Sequence, residues 1–193
     1  MRIVGGKHKG RRLQAPRDRA IRPTADRARE AIFNLLTQGR AVADTGFALK
    51  EALVLDAFCG TGALGLEALS RGAREATFLD TDMAALALAR ENAEATGEAK
   101  NAQFVRGDAT KPPAAPRAHD LVLLDPPYGK KLAEAALVAL AAAGWLEEGA
   151  IVVLEQAAGE TLDVPMGFDG IDERQYGAAK IQILCFGMPP AAA

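Results

Sequence analysis

From residue 51 onward the chain alternates short apolar runs with alanine-rich stretches of helical period. The apolar runs predict strands over 53–58, 75–80, 102–107, 119–125 and 150–155. The alanine-rich stretches predict helices over 62–71, 83–96 and 131–144, the last with Ala133, Leu137 and Leu140 on one face. Strands that read as continuous hydrophobic segments, with helices between them, imply a parallel sheet covered on both faces. The rhythm breaks near the end, where 170–176 and 180–186, separated by Gly177-Ala178-Ala179, read as an antiparallel pair. The stretch 109–117, with Pro112, Pro113 and Pro116, is expected to be a loop rather than a crossover helix. The fold class that follows is α/β, a mostly parallel seven-stranded sheet with a C-terminal antiparallel hairpin.

The first 40 residues follow another pattern. Arg2-Ile3-Val4 and Arg12-Leu13-Gln14-Ala15 flank the turn-prone Lys7-His8-Lys9-Gly10 as a hairpin, and Pro16 and Pro23 punctuate an extended stretch. After Thr24, a candidate N-cap, Ala28, Ile32, Leu35 and Leu36 recur at helical spacing, predicting a helix over 25–38 docked on the body, with Arg27 and Arg29 facing outward or into a cleft. The expected division is an arm over 1–40 and an α/β domain over 41–193.

Charge sharpens that division. Residues 1–30 carry ten basic and three acidic side chains, a net +7, whereas the other 163 residues carry 13 basic and 22 acidic, a net −9. A basic arm on an acidic body is the footprint of a protein that grips a polyanion at one place. At 193 residues and 49% hydrophobic content the chain can bury one good core. Met1-Arg2-Ile3-Val4-Gly5-Gly6-Lys7 lacks the apolar segment of a secretion signal and no uncharged run is long enough to span a bilayer, so a soluble cytoplasmic protein without a membrane partner is expected. Two cysteines make no disulfide framework: Cys185 reads as core and Cys59 as a small residue in a glycine turn. His8 and His119 stand apart from other ligand types, so no metal is expected.

Two segments carry chemistry. Asp125-Pro126-Pro127-Tyr128 follows the apolar run Leu121 to Leu124, placing a carboxylate, a rigid turn and an aromatic ring where a strand opens into a cleft. Prolines have no N–H, so the turn's carbonyls are free to accept; with the Asp125 carboxylate they can hold an exocyclic amine while Tyr128 stacks on its ring. The second segment, Asp56-Ala57-Phe58-Cys59-Gly60-Thr61-Gly62-Ala63-Leu64-Gly65, leaves the first strand and opens a helix. Its glycines admit a ligand close to the backbone. Asp80 ends the next strand, where a carboxylate can take both ribose hydroxyls, and Asp108 ends the third, placed to accept from an adenine amine. Candidate cofactor-binding residues are therefore Asp56, Phe58, Gly60, Gly62, Asp80, Asp108 and Asp125. Gly60-x-Gly62-x-x-Gly65 with an acid twenty residues on also satisfies the dinucleotide fingerprint. Asp56 decides against it, because it would repel a pyrophosphate yet can bind the ammonium of a methionine moiety. The amine-binding turn has no task in hydride transfer, so S-adenosylmethionine is favoured over NAD.

These two segments, with Arg22-Pro23-Thr24-x-Asp26-Arg27-x-Arg29-Glu30-x-x-Phe33-Asn34 and the continuation Leu66-Glu67-Ala68-Leu69-Ser70-Arg71-Gly72, resemble the Rossmann-like class I methyltransferases. Among them the chain is similar, over nearly its whole length, to the bacterial small-subunit rRNA guanine-N2 methyltransferase family. One departure is Asp80, where the family often has glutamate. The resemblance implies methyl transfer from S-adenosyl-L-methionine to the 2-amino group of a 16S rRNA guanine, position 966 for the family, in the small ribosomal subunit or a late precursor. The implied catalytic residues are Asp125, Pro126 and Tyr128, on a base flipped out of its stack. Lys7, Lys9, Arg11, Arg12, Arg22, Arg27 and Arg29 are expected to contact RNA phosphates, and a monomer is expected. Rival readings are methylation of adenine N6 or of a protein glutamine amide, and a noncatalytic rRNA-binding assembly factor.

Overall fold

The computed structural model describes residues 1–15 and 26–187. Among them seven strands form one sheet: β1 (Leu53–Ala57), β2 (Glu75–Asp80), β3 (Ala102–Arg106), β4 (His119–Leu124), β5 (Leu146–Ala157), β6 (Phe168–Tyr176) and β7 (Ala179–Phe186). The order is β3-β2-β1-β4-β5-β7-β6. β1 to β5 are parallel, and β7 inserts antiparallel between β5 and β6. This is the expected mostly parallel sheet with its terminal hairpin, in the Rossmann-like arrangement.

Helices α1 (Asp26–Gln38), α2 (Arg40–Ala43), α3 (Ala63–Ser70), α4 (Met83–Thr96) and α5 (Leu132–Ala142) connect and cover it. Because the inner strands are buried on both faces, two apolar clusters form. One joins Val54, Phe78, Leu121, Ile151 and Ile183 to side chains of α1, α3 and α4, and takes in Ile3 and Leu13 of the N-terminal hairpin. The other joins Leu55, Val122, Val152 and Leu184 to α5 and Trp145. The 109–117 stretch is a loop as expected, held by Trp145 Nε1 donating to the carbonyl of Pro113 at 2.8 Å. No helix among the described residues is long and apolar enough to cross a membrane.

Strand β5 starts and ends beyond the expected 150–155. Its ladder continues outside the apolar run: Leu146 pairs with His119, and Gln156 and Ala157 pair with Lys180 and Ala179. The hairpin forms through Arg2 and Arg12, with Ile3 N–H donating to Arg11 O at 2.9 Å. It lies against α3 and α4: Val4 N–H donates to buried Glu67, and Ser70 Oγ donates to Gly5 O at 2.6 Å. The N-cap expected at Thr24 lies outside the described residues.

Candidate active site

The sheet reverses its winding between β1 and β4, and α/β sheets hold ligands at the carboxyl ends of strands at such a point. In register, Asp56 sits between Phe78 of β2 and Leu123 of β4, and Ala57 between Leu79 and Leu124. The loop after β1, the Asp80 end of β2 and the Asp125 turn after β4 therefore share one edge.

The loop departs from regular backbone where a ligand would approach. Phe58 has φ 60, a left-handed conformation that bulky residues rarely adopt, and Gly62, at the N-cap of α3, has φ 76. Gly65 serves packing: a Cβ there would stand 2.5 Å from Cε1 of Phe78, so its lack of a side chain lets α3 lie on β2.

Asp56 Oδ2 accepts the Gly65 N–H at 2.8 Å, and its side chain is 1% exposed. Through Oδ2 the carboxylate thus holds the loop to the start of α3. Burial pushes its pKa well up, against the pull of the Gly65 N–H, and the negative charges of Asp125 and Asp80 push it further. An incoming cation relieves this repulsion. Asp80 is half-buried at its strand end, with Oδ2 accepting from Gly60 N–H and Oδ1 from Asp82 N–H, both at 2.9 Å. Each of these oxygens retains further acceptor capacity. Asp108 is exposed beyond β3; the Thr110 hydroxyl and then the Thr110 N–H, both donating to its Oδ1, lower its pKa.

In the turn, Asp125 and Tyr128 are half-buried, Pro126 is buried and Pro127 exposed. The Tyr128 hydroxyl donates to Glu155 Oε1 at 2.8 Å, and Gly129 N–H donates to the Glu160 carboxylate. The sequence pattern had not singled out these two carboxylates. The signal for Glu155 was present, since an acid ending an apolar strand is what marked Asp56, Asp80 and Asp125.

Three of the hairpin's basic side chains, Lys7, His8 and Arg11, lie away from this edge. Helix α4 runs back along the sheet, so its C-terminal end lies at the opposite pole, roughly 20 Å away for a helix of this length. There Lys7 Nζ and His8 Nε2 lie 2.8 and 2.5 Å from the same oxygen of buried Glu98, and Arg11 donates to Ala95 O at 2.9 Å. About one turn before that end, Asn92 binds the backbone of Gln14 and donates to Thr61 O at 3.0 Å, tying the hairpin to the glycine loop. Lys9, Arg12 and Arg27 are exposed, and Arg22 lies outside the described residues. Arg29, expected to face outward or into the cleft, is instead 0% exposed, with Nη2 donating to Asp26 at 2.6 Å and to Arg2 O at 2.7 Å. It cannot reach an RNA phosphate, because its guanidinium lies inside the joint between α1 and the hairpin.

A family model described as Conserved hypothetical protein 95 matches residues 1–185. Ribosomal RNA small subunit methyltransferase D of Escherichia coli (strain K12) is 38% identical over 156 residues, 80% of this chain and 74% of that one. The protein of the same name from Haemophilus influenzae is 30% identical over 187 residues, 95% of this chain and 92% of that one. The solved structure of Escherichia coli YhhF matches with a TM-score of 0.78 at 33% identity, covering 96% of this chain and 97% of that one. With a match this long, and with the glycine loop and the Asp-Pro-Pro-Tyr turn on one edge of the sheet, the chain belongs to the ribosomal RNA small subunit methyltransferase D family.

Proposed function

We propose that this protein methylates the 2-amino group of a guanine in small-subunit rRNA, using S-adenosylmethionine. The observation that carries the reading is the placement of Asp125-Pro126-Pro127-Tyr128 beside the glycine loop, on adjoining strand ends. The names of the relatives at 38% and 30% identity support the rRNA substrate.

The donor set fits this cofactor better than a dinucleotide. Gly60 and Gly65 N–H, which a pyrophosphate would need, are occupied by Asp80 and Asp56. The acidic edge formed by Asp56, Asp80 and Asp125 suits a cation, which would relieve the repulsion that adds to burial in raising the Asp56 pKa. When bound, S-adenosylmethionine supplies a methyl group activated by a positively charged sulfur. Asp80 would accept from the ribose hydroxyls and Asp108 from the adenine amine, while the glycines would leave room for the ligand along the backbone. Asp125 and the Pro126 carbonyl accept the two amino hydrogens of the target base, turning the nitrogen lone pair toward the methyl group. Tyr128 stacks on the base once it leaves its helix.

Residues 1–40 hold the RNA by its phosphates, through Lys9, Arg12, Arg22 and Arg27, without reading sequence. The protein acts as a monomer, in the cytoplasm, on the small subunit or its late precursor. To test the reading, methyl-labelled cofactor is incubated with free 16S rRNA or with undermethylated small subunits, and the nucleosides are identified by mass spectrometry. N2-methylguanosine is the expected product; another modified nucleoside, or none, overturns it.

A further inference from the structure

Glu155 is a carboxylate where β5 otherwise asks for an apolar side chain. Ile151 to Leu154 precede it, the run 150–156 is buried throughout, and Glu155 itself is 6% exposed. Burying a carboxylate is costly unless hydrogen bonds compensate, and valine or leucine would serve packing better. Its Oε1 accepts the Tyr128 hydroxyl, 27 positions back in the chain, at 2.8 Å. The two partners differ in stiffness. Glu155 stands on a strand paired with both β4 and β7, opposite Ile181. Tyr128 lies in the irregular segment between β4 and α5, with Gly129 next to it held by Glu160.

We propose that Glu155 is a positioning residue for methyl transfer: by holding the Tyr128 hydroxyl it fixes the plane of the ring on which the target base stacks, without touching base or cofactor. This rests on the reading of Tyr128 as the stacking platform. A hydroxyl-to-carboxylate bond is charge-assisted and directional. Without it the ring samples other orientations, and the base loses its alignment with the donor.

The test compares the full-length wild type with Glu155→Gln, Glu155→Ala, Tyr128→Phe and the combined Glu155→Ala/Tyr128→Phe, on undermethylated small subunits. Glu155→Ala and Tyr128→Phe should each lower kcat/KM for the subunit about tenfold. Glu155→Gln, which keeps an acceptor, should recover part of that loss. Calorimetric affinity for S-adenosylhomocysteine should stay within about twofold of wild type, and the combined variant should be no worse than the worse single one. Multiplying losses in the combined variant, full activity of Glu155→Ala, or a loss confined to cofactor affinity would each overturn the inference. An inert wild type would instead overturn the functional reading beneath it, so the two failures are told apart.

Discussion

Replacing Gly65 by alanine tests whether close contact of α3 with the sheet builds the cofactor loop. The added Cβ would stand 2.5 Å from Phe78 Cε1, 2.9 Å from Cζ and 3.2 Å from Asp56 Cβ, where carbon atoms ordinarily rest about 3.5–4.0 Å apart. Phe78 has little room to retreat: it is 0% exposed and stacked on Phe104 at 5.2 Å, and the Arg90 guanidinium lies 4.7 Å from the Phe104 ring. Alanine in a helix gains about 1 kcal/mol over glycine, and overpacking a core costs about 1–3 kcal/mol. The overlap approaches 1 Å, which puts the clash in the upper part of that range at about 2–3 kcal/mol, so it wins, with a net loss of about 1–2 kcal/mol and a fall in Tm of about 2–8 °C for a chain of this size. Because Gly65 N–H also holds Asp56, moving α3 should weaken S-adenosylmethionine binding about tenfold. Denaturant unfolding and calorimetry read the two effects. Introduced alongside Phe78→Leu, which makes room, the substitution should lose most of its cost. A Gly65→Ala variant as stable as wild type, binding cofactor equally well, would refute the packing argument.

Three further outcomes follow from buried groups. His119, bonded to Trp145 O and Thr77 and held below its ordinary pKa chiefly by burial, takes up protons more readily unfolded; its share of stability is complete above pH 6.5 and fades below it. The stability gap between wild type and His119→Gln should therefore narrow from pH 8 to pH 5.5 in denaturant titrations, and a constant gap contradicts this. Burial raises the Glu98 pKa, but bonds from Lys7, Asn101 and His8, with the Lys7 charge, outweigh it and leave it below the ordinary 4.5. The cost of Glu98→Gln should thus be full at neutral pH and shrink as pH falls below 4.5; a cost that grows on acidification refutes the pairing. Arg29→Ala should lower stability by about 1.5–3 kcal/mol yet leave the salt dependence of RNA binding unchanged, whereas Arg27→Ala should reduce that slope by about one unit; the reverse pattern would put Arg29 at the RNA.

The sheet was legible because its inner strands announce themselves: Leu121 to Leu124 and Ile151 to Leu154 are apolar without interruption, as burial on both faces demands. Strand ends were less legible, since Gln156 and Ala157 belong to β5 through pairing with β7, which hydrophobicity does not encode. The same limit explains Arg29. Nothing near it in sequence tells that the Arg2 carbonyl, 27 positions away, closes over it. For Asp56, spacing indicated the strand end but not the direction of the carboxylate, which Gly65 N–H sets. The charge count found the basic arm but could not foresee that Glu98 draws Lys7 and His8 to the pole away from the cleft.

In the proposed reaction Asp125 holds the amine that receives the methyl group, and Asp125→Ala probes that role. The variant and the wild type are titrated with S-adenosylmethionine by calorimetry, then each is incubated with undermethylated small subunits and labelled cofactor, and N2-methylguanosine is counted by mass spectrometry. The expected result is a cofactor affinity lowered by no more than about tenfold, because Asp56 and Asp80 remain, and a fall in product of at least about a hundredfold at saturating cofactor. Methylation by Asp125→Ala at the wild-type rate would contradict it.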